Sequence, residues 1–246
     1  MKTISIYNLK GGVGKTTIAV NLAYKYAMKG YKTVIWDLDA QGSATYYFQR
    51  EVSEKQKAGK WLKGKESPVE YITNTDFKNL SIIPSGPSMR HLEEKIVKYD
   101  DNQGWLKTSL KDFKDDFDIV ILDCPPGLTR LYENIFIASD LIVIPVIPTP
   151  LSLISLEHLM NYQPKGRKDN KYTIVFSMVD TRKKLHHEYM EIIRSYSENV
   201  CQEYIPYLSE IEKTGLTFAP VAATAPNGRA SKHFERLWKE TLTYLK

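Results

Sequence analysis

The sequence predicts a doubly wound α/β fold, a mostly parallel sheet with helices on both faces. Three observations carry that expectation. Short apolar runs alternate with amphipathic stretches along the chain, as strands joined by crossover helices do. Several runs, such as Ile119-Val120-Ile121-Leu122 and Leu141-Ile142-Val143-Ile144, are wholly apolar, as strands covered on both faces are. The first run, Ile4-Ser5-Ile6-Tyr7, feeds a glycine-rich turn that opens a helical pattern, the usual place for a phosphate-binding loop.

Taken in order, strands are expected at residues 3–7, 33–36, 80–83, 119–122, 141–146, 172–178 and 202–205. Ile18, Leu22 and Tyr26 fall four apart, so a helix follows the turn. Tyr189, Ile192, Ile193 and Tyr196 repeat at helical spacing, as do Phe234, Leu237, Trp238, Leu242 and Leu245. No repeat, low-complexity tract or Gly/Ser linker interrupts the pattern, so residues 1–246 read as a single domain. The polar stretch 50–67 is the best candidate for a mobile excursion.

Composition narrows the class. Hydrophobic content of 42% and charged content of 26% are those of an ordinary globular protein. No apolar run approaches the roughly 20 residues that span a bilayer. Lys2, Asn8 and Lys10 interrupt the N-terminus before a leader could form, so no secretory leader is expected. Cys124 and Cys201 stand far apart and outside any C-x-x-C pair, which points to a reduced, cytoplasmic setting. The net charge of +5 permits contact with nucleic acid or anionic membrane without demanding it. Basic residues concentrate in two runs, at residues 50–65 and 165–171, and solvated loops explain such runs as readily as binding does.

The turn reads Lys10-Gly11-Gly12-Val13-Gly14-Lys15-Thr16-Thr17. Glycines let backbone N–H groups approach phosphate oxygens with no Cβ in the way. Lys15 adds a point charge for the β- and γ-phosphates, and Thr16 offers a hydroxyl to Mg²⁺. The generic pattern places a glycine five residues before Gly14, and here that position is Leu9. Ligands in such sheets sit beyond the carboxyl ends of strands. There, Asp37-Leu38-Asp39-Ala40-Gln41-Gly42 follows one run and Asp123-Cys124-Pro125-Pro126-Gly127 another. Asp123 suits a Mg²⁺ role. Asp37 and Asp39 share a face if the strand continues, and one of them could position a water for attack on the γ-phosphate.

Together these segments resemble the ParA/MinD family of P-loop ATPases with a deviant Walker A box, and within it the short ParA proteins. The likeness extends through Leu80-Ser81-Ile82-Ile83-Pro84-Ser85, Ile144 to Pro150 and Ala219 to Ala230, nearly the whole chain. The resemblance implies a fold of P-loop NTPase type with ATP and Mg²⁺ as cofactors. It implies that Gly11, Gly12, Val13, Gly14, Lys15, Thr16 and Thr17 hold the nucleotide. Lys10 becomes the signature lysine that reaches a partner's ATP in a sandwich homodimer. Asp39 orients the hydrolytic water, and Thr16, Asp39 and Asp123 serve the metal. Met178 to Asp180 and Pro206 match the family's adenine contacts. Further implied partners are a ParB-like or other small adaptor that stimulates slow hydrolysis, and non-specific double-stranded DNA. Candidate DNA contacts are Arg182, Lys183, Lys184, Lys213, Arg229 and Lys232. The resulting expectation is a cytoplasmic, nucleoid-associated switch that positions a plasmid, chromosome or protein body. Two alternatives stand beside it. A MinD-like membrane regulator needs the amphipathic stretch 229–246 free to lie in a lipid interface. An iron–sulfur protein needs cysteines that meet at a dimer interface.

Overall fold

The structure, a computed structural model, describes residues 1–53, 56, 58–99, 104–162 and 171–245. Eight strands form one sheet: β1 (Lys2–Ile6), β2 (Thr33–Asp37), β3 (Thr73–Asn74), β4 (Leu80–Ile83), β5 (Ile119–Asp123), β6 (Leu141–Val146), β7 (Lys171–Val179) and β8 (Val200–Pro206). They lie in the order β3-β4-β2-β5-β1-β6-β7-β8. All pairings are parallel except β3 with β4. Each expected run is a strand, with ends displaced by no more than two residues. Only β3 escapes the sequence pattern, being two exposed polar residues on an edge.

The helices are α1 (Lys15–Met28), α2 (Ser43–Tyr47), α3 (Ala58–Leu62), α4 (Leu92–Tyr99), α5 (Trp105–Ser109), α6 (Arg130–Ala138), α7 (Pro150–Asn161), α8 (Lys184–Tyr196), α9 (Ser209–Glu212), α10 (Thr214–Thr217), α11 (Val221–Thr224) and α12 (Arg229–Tyr244). They bury the two faces of the sheet in separate apolar layers. One layer joins Trp36 and Val34 of β2 to Trp61, Ile96, Leu110 and Phe113, then runs under α6 to α8. The other joins Ile4 and Ile6 of β1 to Ile18, Leu22 and Tyr26 of α1 and Phe234 and Leu237 of α12. Alternate residues of a strand face opposite sides, which is why Val34 and Trp36 enter the first layer while Ile35 enters the second.

Two expectations are corrected here. The described end of the stretch 50–67 is anchored at Trp61, which is 3% exposed and meets Trp36 edge-on with ring centroids 5.7 Å apart. Residues 54, 55 and 57 of that stretch, and 165–170 of the second basic run, lie outside the described residues. The stretch 229–246 is not a free amphipathic helix. Phe234, Leu237 and Trp238 of α12 are packed into the second layer. Glu235 takes Lys25 of α1 and Lys29 just beyond its end at 3.2 and 3.0 Å. Glu240 accepts the Gln202 and Glu203 N–H groups of β8 at 2.8 and 2.7 Å. A helix held on its apolar stripe and by its charges has no face left for a lipid interface. Among the described residues no helix is long and apolar enough to cross a membrane.

Phe234 is wholly buried between α12 and the sheet. Phe234→Ala is expected to cost about 3–5 kcal/mol. The measurement is urea unfolding, in which the midpoint falls while the slope stays constant.

Candidate functional site

Register builds the site. Ile6 of β1 and Asp37 of β2 each pair with Asp123 of β5, so three strands end level at one edge. β1 lies between β5 on one side and β6 on the other, and its carboxyl end is therefore the point where the chain turns from one half of the sheet to the other. The glycine-rich turn begins there. Asn8 fixes its start by donating to the Pro145 carbonyl at 2.6 Å and accepting the Lys10 N–H at 2.8 Å. Leu9, where the generic motif has glycine, packs against the first apolar layer. That packing explains how the loop tolerates a large residue at this position.

Gly12 and Gly14 have φ of 71° and 86°, a region that favours glycine. A Cβ on Gly14 would meet Ser177 Oγ at 2.8 Å, whereas Gly11 and Gly12 face open space. Gly14 starts α1 with no side-chain cap and no acidic residue in the first turn. The N–H groups of that turn and its positive dipole end are thus available to an anion.

Lys15 is 7% exposed. Its Nζ donates to the Lys10 carbonyl at 2.7 Å. Burial lowers its pKa, opposed chiefly by Asp123. Asp123 is 1% exposed and, among the described residues, neither carboxylate oxygen has a hydrogen-bond partner. Burial, then the Asp37 carboxylate, pushes Asp123 well above the usual carboxylate range, with Thr16 and Lys15 acting against the rise. Thr16 lies beside Asp123 without completing a hydrogen bond in this conformation. Asp37 is also buried, and burial raises it to about 6. Its oxygens accept the Thr45 N–H at 2.9 Å, the Thr45 hydroxyl at 2.8 Å and the Asp39 N–H at 3.2 Å.

This separates the two aspartates that the sequence left as a pair. β2 ends at Asp37, so the shared face that strand continuation would give does not form. Asp37 is committed to the start of α2. Asp39 is half-buried and, among the described residues, accepts only the Gln41 N–H at 2.9 Å, leaving its second oxygen available. Thr16, Asp39 and Asp123 offer hard oxygen donors of the kind Mg²⁺ takes, and the unpartnered carboxylate of Asp123 is the observation that fits the group. Lys10 is half-buried and enters no ion pair among the described residues.

A cleft of about 100 Å³ adjoins the loop, lined by Gly14, Thr17, Tyr47, Met178, Pro206 and Tyr207 among others. The structure thus brings Met178 and Pro206 together with Thr17. Met178 has φ of 53° at a register shift between β7 and β8, an irregularity that turns its side chain toward the cleft. Asp180 instead holds Arg182 through two bonds of 2.9 Å. Tyr47, Ser177, Tyr207 and Glu212 also line the cleft and carried no sequence signal. The six basic candidates are all exposed. They fall in three groups: Arg182, Lys183 and Lys184 at the start of α8, Lys213 after α9, and Arg229 and Lys232 on α12. Cys124 and Cys201 are 1% and 0% exposed, deep in the apolar layers and away from any surface where a partner's cysteine could meet them.

Fold and loop together define a P-loop ATPase of the deviant Walker A class. The AAA domain family matches residues 1–175. The ParA family protein pGP5-D of the Chlamydia psittaci virulence plasmid is 30% identical, covering 98% of this chain and 94% of that one. The sporulation initiation inhibitor protein Soj of Bacillus subtilis is also 30% identical, covering 97% of each. In structure, an aspartate-to-alanine variant of Cyanothece McdA in complex with ATP superposes with a TM-score of 0.84 at 21% identity, covering 99% of this chain and 96% of that one. The chain belongs to the ParA family of ATPases.

Asp123 gives a stability test. A carboxylate whose pKa is raised on folding binds its proton more tightly in the folded state. Its favourable contribution is complete below the ordinary value of 3.8 and is lost as pH rises above it. Asp123→Asn is therefore expected to match the nucleotide-free wild type at low pH. It should exceed the wild type by roughly 1–3 kcal/mol near neutrality. Urea unfolding across a pH series reads that difference.

Proposed function

We propose that this chain is an ATP-dependent switch that binds ATP with Mg²⁺, pairs with a second copy across the nucleotide, and hydrolyses ATP slowly until an adaptor stimulates it. Through that cycle it positions or segregates a cargo on non-specific double-stranded DNA. The cargo is a plasmid, a chromosome or a protein body, and the setting is the nucleoid. The single observation behind this reading is the buried Lys15 and the unpartnered Asp123 facing one uncapped helix start. Relatives named for plasmid and sporulation roles support the cargo class.

The residues divide the work. Lys15 and the N–H groups of residues 11–16 hold the phosphates by charge and by hydrogen bonds that a water-excluding site strengthens. Mg²⁺, when bound, draws negative charge from the phosphates. Thr16, Asp39 and Asp123 are the residues that would hold it. The open oxygen of Asp39 orients the attacking water. Lys10 reaches the nucleotide of the second copy. While the γ-phosphate is present, each copy holds the other through it. Hydrolysis removes that bridge and the pair separates, a two-state equilibrium biased by one phosphate. Pairing also doubles the phosphate contacts made to DNA, so DNA binding follows the nucleotide and weakens steeply with salt.

Two variants test this. Lys15→Gln is expected to abolish ATP binding by isothermal titration calorimetry, and retained affinity removes the loop from its role. Asp39→Ala is expected to keep ATP binding, to lose hydrolysis by about 100-fold or more, and to accumulate as a dimer in size-exclusion chromatography with ATP. Hydrolysis at the wild-type rate removes Asp39 from the reaction.

A further inference from the structure

One buried hydroxyl beside the site has no part in the reading above. Tyr7 follows Ile6, which pairs with Asp123, and precedes Asn8, which fixes the start of the glycine-rich turn. Its side chain is 1% exposed, and its N–H donates to the Val143 carbonyl of β6 at 3.0 Å. Its hydroxyl reaches the other way, to the loop after β5, and donates to the Gly127 carbonyl at 2.7 Å.

That loop, residues 124–129, joins Asp123 to α6. Both of its ends are fastened. The Cys124 N–H donates to the Ile6 carbonyl at 3.4 Å. Glu93 of α4 accepts the Arg130 and Leu131 N–H groups at 2.7 and 3.1 Å. Between these ends, Pro125 and Pro126 have no N–H to give. Among the described residues, the Tyr7 hydroxyl makes the only hydrogen bond to residues 125–128. One bond therefore sets the middle of the loop.

The donor is held firmly. The Tyr7 ring lies against Tyr132 of α6, with centroids 4.7 Å apart and 32° between the planes. The Tyr132 hydroxyl in turn donates to the Tyr162 carbonyl at 3.3 Å. Burial, then Tyr132, pushes the Tyr7 phenol far above its ordinary range, so it stays protonated and donates. Gly127 meets it with φ of 104°, a region that favours glycine. The peptide bond after Gly127 is trans, so the Leu128 N–H points opposite to the carbonyl that Tyr7 holds. It points away from the buried layer and has no acceptor among the described residues.

We infer that Tyr7 is a positioning residue for ATP hydrolysis. By holding the Gly127 carbonyl it fixes the loop that leaves Asp123 and presents the Leu128 N–H at the edge that receives the phosphates. A backbone donor fixed before the reaction stabilises charge as it develops and needs no reorientation. The inference rests on the functional reading above, which places the phosphates at Lys15 and the metal at Asp123.

The test is steady-state ATP hydrolysis by the full chain with Mg²⁺, well below the unfolding midpoint. Tyr7→Phe keeps the ring and removes the hydroxyl. It is expected to lower kcat by about 10- to 100-fold, with ATP affinity unchanged in isothermal titration calorimetry. Tyr26→Phe is the control for stability. It removes another buried hydroxyl, bonded to Thr241 Oγ1 at 2.8 Å in the opposite layer. It is expected to lower the urea midpoint as Tyr7→Phe does and to keep the wild-type kcat. Gly127→Ala acts on the same peptide unit from the other side. A Cβ there meets only Thr129 Cγ2, at 3.7 Å, so the change works through φ and not through a clash. Its kcat should also fall, and the double variant should be no slower than the slower single one, as for two changes that break one interaction. Wild-type kcat in Tyr7→Phe, an equal loss in Tyr26→Phe, or losses that multiply in the double variant each overturn the inference and leave the ATPase reading standing. A wild-type chain that neither binds nor hydrolyses ATP with Mg²⁺ overturns the reading on which it rests.

Discussion

Buried charge without a matching counter-charge is the constraint on which this structure turns. Asp37 and Asp123 are direct partners in adjacent strands, so two carboxylates are held about 5 Å apart at the backbone. Asp37 is satisfied by Thr45 and by its own loop. Neither oxygen of Asp123 completes a hydrogen bond among the described residues. Lys15 offers a cation nearby, yet its ammonium turns to a carbonyl of its own loop. An unmade bond to a buried polar atom costs about 1–3 kcal/mol. Such an arrangement persists only where the surrounding scaffold over-determines it. Here the scaffold is the level register of β1, β2 and β5, with Asn8 tied across to β6. The site is pre-built for a ligand that supplies both the missing anion and the missing cation.

The same economy links the loop to the far side of the molecule. The Thr45 hydroxyl that serves Asp37 also accepts the Ser85 N–H at 2.7 Å, beyond the end of β4. Gly42, in the left-handed region, lets that approach happen, since a Cβ there would meet the Ser85 carbonyl at 2.9 Å. On the other face, Asn21 of α1 accepts the Val221 N–H at 2.8 Å, and Lys25 reaches α12. The helix that presents its first turn to phosphate is thus bonded to the elements that carry Arg229 and Lys232. A shift of α1 on nucleotide exchange has a direct mechanical route to that surface.

Much of this was legible in the residues, for identifiable reasons. Strands such as 119–122 are buried on both faces and advertise themselves by continuous apolarity. The loop is legible because glycine conformation and phosphate chemistry restrict the choice of residue. What escaped was set by tertiary context. β3 carries no apolar pattern because neither of its residues is buried. Trp61 sits alone in a polar stretch, and only the fold reveals that it belongs to the layer around Trp36. Asp37 and Asp39 look equivalent until the strand stops between them. Tyr47 and Glu212 reach one cleft from positions far apart in sequence, which no local spacing encodes. The amphipathic pattern of α12 is the same for a core helix as for a membrane-surface helix, and its neighbours decide between them.

The ends of the sheet have their own consequence. Sheets lengthen when a free edge strand recruits another chain through its exposed N–H and C=O groups. At one end the edge is β3, only two residues long. At the other, Glu240 occupies the N–H groups of Gln202 and Glu203, and the Arg236 guanidinium bonds Glu203 across the same strand. Copies of this chain therefore meet poor templates for stacking edge to edge into a continuous ribbon.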